Sequence, residues 1–114
     1  MYHKTKSKLA ESVIKIDLDR KKIPKSLFET IDYLKYFYTV LGTYIYKSPS
    51  GNHHIVIELQ EEITDYELIL IQLLCGSDKK REWFNYKRIK SGLKMKDWNL
   101  LFSKKLNIPI KIRK

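Results

Sequence analysis

Asp17-Leu18-Asp19 closes a run, Val13 to Asp19, in which apolar and polar residues alternate. Side chains two apart on an extended strand project from one face. Asp17 and Asp19 are therefore expected together, opposite a stripe of Ile14, Ile16 and Leu18. Two carboxylates so placed could share a divalent cation of the Mg²⁺ or Mn²⁺ kind, which prefers oxygen ligands. The same tripeptide also reads as a strand end entering a polar turn, its acids hydrated or paired with Arg20 to Lys22.

A second cluster, Ser50-Gly51-Asn52-His53-His54, stands at the entry to a later apolar run. Neighbouring strand residues point to opposite faces. His54 then shares a face with Val56 and Glu58, and His53 shares one with Ile55, Ile57 and Leu59. If the isoleucines face the helices, His54 is the catalytic candidate, on the open face beside Asp17 and Asp19. His53 is the secondary candidate, half-buried at the strand's start. Adjacent histidines splay apart and do not chelate one metal.

An apolar-Asp-apolar-Asp strand, followed by a Ser-Gly…His turn into another strand, resembles the first two motifs of archaeo-eukaryotic primases. The resemblance covers residues 13–19 and 48–58. It implies an RRM-like sheet, a catalytic metal on Asp17 and Asp19, and His53 or His54 on the phosphates of an incoming nucleotide. The chain is much shorter than such primases, and their third motif has only loose counterparts in Asp78 and Asp97. A stripped, inactive relative thus stands beside an enzyme. In size and in richness in Lys, Ile and Tyr, the chain also resembles small uncharacterised proteins of rod-shaped viruses of hyperthermophilic archaea, which implies a host cytoplasm.

The third feature is a basic and aromatic block from Lys79 to Lys105. Thirteen Lys/Arg face two acids in residues 79–114, eight face three in 1–26, and the middle, 27–78, reverses the balance with two against eight. Segregation of this kind within a net charge of +10 suits a polyanion, whose counterions the cations release. A solvated lysine-rich surface is the plainer alternative. Lys80, Lys87, Arg88, Lys90 and Lys94 are the expected phosphate contacts. Tyr44 and Tyr46, sharing one face of a strand, are the expected stacking residues. Trp83 and Phe102 are expected in the core.

These residues must be held by a frame, and the frame is legible. After the first strand, Pro24 can open a helix whose apolar residues Leu27, Ile31, Leu34, Tyr38 and Leu41 recur at three and four, with Gly42 as terminator. Thr43–Lys47 and Ile55–Leu59 form a hairpin across Ser48–Asn52. Thr64 and Glu67 make a capping box for a second helix ending near Gly76. Ser77-Asp78 caps a short basic helix to about Gly92. Trp98–Phe102 and Ile108–Ile112 are candidate strands, the latter an edge because of Pro109. The order predicts an α+β, ferredoxin-like (βαββαβ) antiparallel sheet with helices on one face and an extra C-terminal helix and strand.

One domain over 1–114 accommodates this length. No apolar run approaches the roughly 20 residues of a membrane helix, no apolar segment follows the basic N-terminus as in a signal peptide, and the one cysteine, Cys75, fits a buried inert thiol in a reducing cytoplasm. P-loop, dinucleotide and zinc spacings are missing, as is the aromatic RNP1 pattern. The reading is a small basic protein binding DNA or RNA, in viral or plasmid replication. The alternatives are a metal-dependent nucleotidyl-transfer or phosphodiester enzyme, reduced and primase-like, and a non-catalytic homo-oligomeric interaction protein.

Overall fold

A computed structural model describes residues 9–92 and the backbone of 111–113. Strand β1 (Ser12–Leu18) buries every second residue, as its alternation dictates. Helix α1 (Lys25–Leu34) follows, with Leu27, Ile31 and Leu34 buried. Strands β2 (Val40–Lys47) and β3 (His53–Leu59) form the hairpin, closed by Ser48 N–H to Asn52 O at 2.7 Å and by Gly51 at φ +94°. Helices α2 (Asp65–Leu74) and α3 (Lys79–Lys90) come next, then the short strand β4 (Lys111–Arg113). The strand proposed at Trp98–Phe102 lies outside the described residues.

The first helix stops earlier than its apolar spacing predicts. Lys35, Tyr36 and Phe37 donate backbone N–H groups to Asp32, Tyr33 and Leu34 in tightening turns, and Tyr38 and Leu41 fall outside α1. Tyr38 N–H still reaches Leu34 O in the last of these turns, but from Val40 the chain pairs as strand with β3, so tertiary pairing overrides periodicity. Gly42 is consequently not a helix terminator. It sits inside β2 at a register shift, where an added Cβ would meet the Tyr44 ring oxygen at 2.9 Å.

All strand pairs are antiparallel, in the order β1-β3-β2-β4. A ferredoxin-like sheet would bring its last strand beside β1. Here β4 pairs instead with Thr43–Ile45 of β2, and α3 takes the position along β1. Leu27 and Ile31 of α1 and Leu68 and Ile71 of α2 join Ile14, Ile16, Ile55 and Ile57 in one core. Each such side chain contributes roughly 1.5–3 kcal/mol over exposure. Cys75 is buried with them, and desolvation pushes its thiol up to about 12. No helix among the described residues is long and apolar enough to cross a membrane.

The second face of the sheet is not the open platform the sequence suggests. Along β3, His54, Val56 and Glu58 are 7%, 0% and 1% exposed, and Tyr46 beside them on β2 is 4% exposed. Val56 and Tyr46 form a small cluster with Val13 and Tyr44. Tyr44 Oη donates to Glu58 at 3.3 Å. The two tyrosines expected to stack bases are thus held against the sheet.

Candidate nucleic-acid interface

Strand β1 pairs with β3 on one side and is an edge of the described sheet on the other, and an open edge invites unwanted pairing. Three side chains and one backbone amide around the α2–α3 junction close it. Lys15 N–H donates to Gln72 Oε1 (2.9 Å), and Lys15 O accepts from Arg81 Nη1 (2.9 Å). Asp17 N–H donates to Ser77 Oγ (3.0 Å), and Asp17 O accepts from Asp78 N–H (2.7 Å).

A buried acid, Glu82, joins these groups to α3. Its Oε1 accepts from Gln72 Nε2 (2.7 Å) and Asn85 Nδ2 (3.1 Å); its Oε2 accepts from Ser77 Oγ (2.7 Å) and from the Arg81 guanidinium in a close ion pair. A carboxylate 1% exposed survives without solvent because donors surround it. Asp78 caps α3 by accepting from Lys80 N–H at 3.2 Å, as the Ser77-Asp78 signal predicts. The network therefore fixes where α3 lies against β1 and how it is rotated about its axis.

With α3 so oriented, a cleft of about 260 Å³ opens between the sheet and the helix, lined by Asp17, His54, Asp78, Lys80, Arg81, Phe84 and Arg88. Asp17 and His54 are cross-strand partners, and His54 Nε2 lies 3.5 Å from Asp17 Oδ1. Burial lowers the affinity of Arg81 for its proton, while Glu82, Asp17 and Asp78 oppose that shift. Burial, and then Arg81, lowers Lys15 likewise. Lys80, Phe84 and Arg88 recur every four residues, so they form one stripe down α3, and Phe84 is 56% exposed.

The sequence candidates separate into groups. Asp17, His54, Lys80 and Arg88 meet in the cleft. Asp19 instead accepts from Asn52 Nδ2 at 2.6 Å, which ties the hairpin turn to the end of β1. His53 Nδ1 lies 3.1 Å from Arg20 O, on the helix-facing side of β3. Lys87 and Lys90 sit over the Trp83 and Tyr86 rings at 5.0 and 5.5 Å, along the wall of a separate apolar groove shared with Tyr66, Leu70 and Leu73. Trp83, expected in the core, is 56% exposed there. Lys94 lies outside the described residues. Arg81 and Phe84 are the cleft residues that sequence reasoning missed; the four-residue repeat around Phe84 was the available signal.

The donor set does not fit a Mg²⁺ or Mn²⁺ ion. Asp17 faces a histidine and a guanidinium, Asp19 serves an asparagine amide, and no three His, Cys, Asp or Glu side chains gather as a metal-holding group among the described residues. Hard dications require several convergent oxygens, and here cations occupy the same space.

No protein-family model matches the chain, and no solved structure does. The chain is similar to "Uncharacterized protein 30" of Sulfolobus islandicus filamentous virus (isolate Iceland/Hveragerdi), with 50% identity over 42 residues. That stretch is 36% of this chain and only 16% of the viral protein. The resemblance to proteins of archaeal viruses thus has a concrete counterpart. The primase resemblance receives no support from any of the three comparisons.

Proposed function

We propose that this chain binds single-stranded nucleic acid along the cleft side of α3. One observation carries the reading: an exposed aromatic ring, Phe84, stands between two cations, Lys80 and Arg88, on a helix whose rotation a buried network holds fixed. Base stacking on an aromatic side chain combined with phosphate neutralisation is the general chemistry of single-strand binding. At 1.5 Å per residue, Lys80 and Arg88 stand about 12 Å apart along the axis, which brackets one stacked base with its flanking phosphates.

The sequence balance is compatible with a polyanion partner, since the segment from residue 79 onward holds thirteen of the 23 Lys/Arg, of which Lys80, Arg81 and Arg88 line the cleft. The two sequence alternatives gain no such support. No donor set for a metal-dependent reaction gathers among the described residues, and the C-terminal strand edge on which homo-oligomeric assembly would rest lies largely outside them.

Fluorescence anisotropy of a labelled single-stranded oligonucleotide tests the reading. Affinity falls roughly tenfold or more between about 50 and 200 mM salt if several phosphates are contacted. No binding to single-stranded DNA or RNA at low salt, or an affinity indifferent to salt, refutes it.

A further inference from the structure

Two carboxylates in a cleft meant for a polyanion need a reason, because each repels phosphate. Asp78 has one: it caps α3. Asp17 does not cap anything with its side chain, which is 31% exposed and reachable from the cleft. We infer that Asp17 reads the base, and that the base it selects is an unpaired guanine. This rests on the single-strand reading above and names its specificity.

The chemistry of the base edges supplies the argument. A carboxylate presents two acceptor oxygens side by side. Guanine is the base whose Watson–Crick edge offers two adjacent donors, N1–H and N2–H. Adenine and cytosine each offer an exocyclic amino group beside a ring nitrogen that is itself an acceptor and would face the second oxygen. Uracil and thymine place a carbonyl on each side of their one donor. Unstacked bases read on this edge, with an aromatic ring beneath, are the usual mode for single strands.

The geometry fits that mode. His54 Nε2 lies 3.5 Å from Asp17 Oδ1, and Arg81 lines the same cleft, so His54 is a positioning residue. Phe84 supplies a stacking surface in the same cleft, and Lys80 and Arg88 flank it. The volume, about 260 Å³, falls below the roughly 300–1,000 Å³ of sites for drug-sized ligands. It takes a base, with the backbone left outside on the cations.

The test uses the full chain and short thymidine oligomers carrying one central guanine, adenine, cytosine or inosine; a single guanine prevents quadruplex formation. At one low salt concentration, the guanine strand binds roughly tenfold tighter than the adenine and cytosine strands. The inosine strand, lacking the N2 amino group, falls between. Asp17→Asn reduces the guanine preference to less than about twofold, and affinity for plain thymidine strands rises because a charge that repels phosphate is removed. Equal affinity for all four strands overturns the inference in the wild-type chain, whatever the variant does. A guanine preference that survives Asp17→Asn in a variant with unchanged circular dichroism overturns it too. In either case the single-strand reading stands; no binding to any strand removes both.

Discussion

Two sides of α3 face different problems. The inward side, Glu82 and Asn85, is almost free of solvent: Glu82 ties the helix to Gln72, Ser77 and Arg81, and Asn85 donates to Glu82 and accepts from Arg88 Nη1 at 3.4 Å. The cleft side, Lys80, Phe84 and Arg88, leaves a large ring and two charged groups beside open space. A helix can present a costly, exposed arrangement with fixed geometry only when its other side is over-determined. The comparison teaches that stability and recognition are divided by rotation about one axis.

Breaking the inward side has the largest expected effect. Glu82→Ala leaves Arg81 buried with its partner gone, and removing one member of a buried ion pair costs about 3–5 kcal/mol. Urea unfolding measures the loss, and a change under about 1 kcal/mol would show that the network is ornamental. Gln72→Ala, which removes a partner from both Lys15 N–H and Glu82, costs about 1–3 kcal/mol on the same scale.

Breaking the cleft side moves binding more than stability; of the three residues, Arg88 also reaches the buried side, donating to Asn85 Oδ1 at 3.4 Å. Phe84→Ala costs about 1–3 kcal/mol of single-strand binding, with unfolding within about 0.5 kcal/mol of wild type. Lys80→Ala with Arg88→Ala lowers the dependence of log affinity on log salt by about 1.4, at roughly 0.7 per phosphate of a single strand. Loss of stability in these variants, equal to the loss in Glu82→Ala, would erase the distinction between the two sides.

The smallest effect is a control far from both. Tyr38 Oη donates to Glu67, and this hydrogen bond, followed by burial, pushes the phenol from 10.0 to about 12. The folded state retains a proton that the unfolded chain releases, so this contribution is whole below pH 10 and is lost as pH rises to about 12. In ultraviolet titration Tyr38 ionises late, as does Tyr44, raised by burial and then by Glu58, and Glu67→Gln brings the Tyr38 ionisation alone back toward the ordinary range.

The parts of the fold set by local chemistry were legible. Period-two alternation gave β1 and the meeting of Asp17 with His54, and Thr64 and Asp78 marked helix starts through their side-chain oxygens, which accept from Glu67 and Lys80 N–H. Only half of the proposed capping box forms, because Glu67 turns to Tyr38. What was not legible depended on distant partners. Gln72, Ser77, Glu82 and Asn85 look like surface residues one at a time, and only the missing fourth strand beside β1 explains their burial. Tyr38 and Leu41 kept helical spacing, yet the pairing of β2 with β3 drew the chain from Val40 onward into strand. Trp83 follows the same logic in reverse: size suggested core, but α3's rotation, set by Glu82, turns it outward.

The most direct measurement is an amide nitrogen–proton correlation spectrum recorded during titration with a short single-stranded oligonucleotide. The account predicts that shifts concentrate at Asp17, Lys80, Phe84 and Arg88 and saturate together. Shifts centred on Leu70, Trp83 and Tyr86, on Tyr44 and Tyr46, or scattered over the lysines without saturation would contradict it.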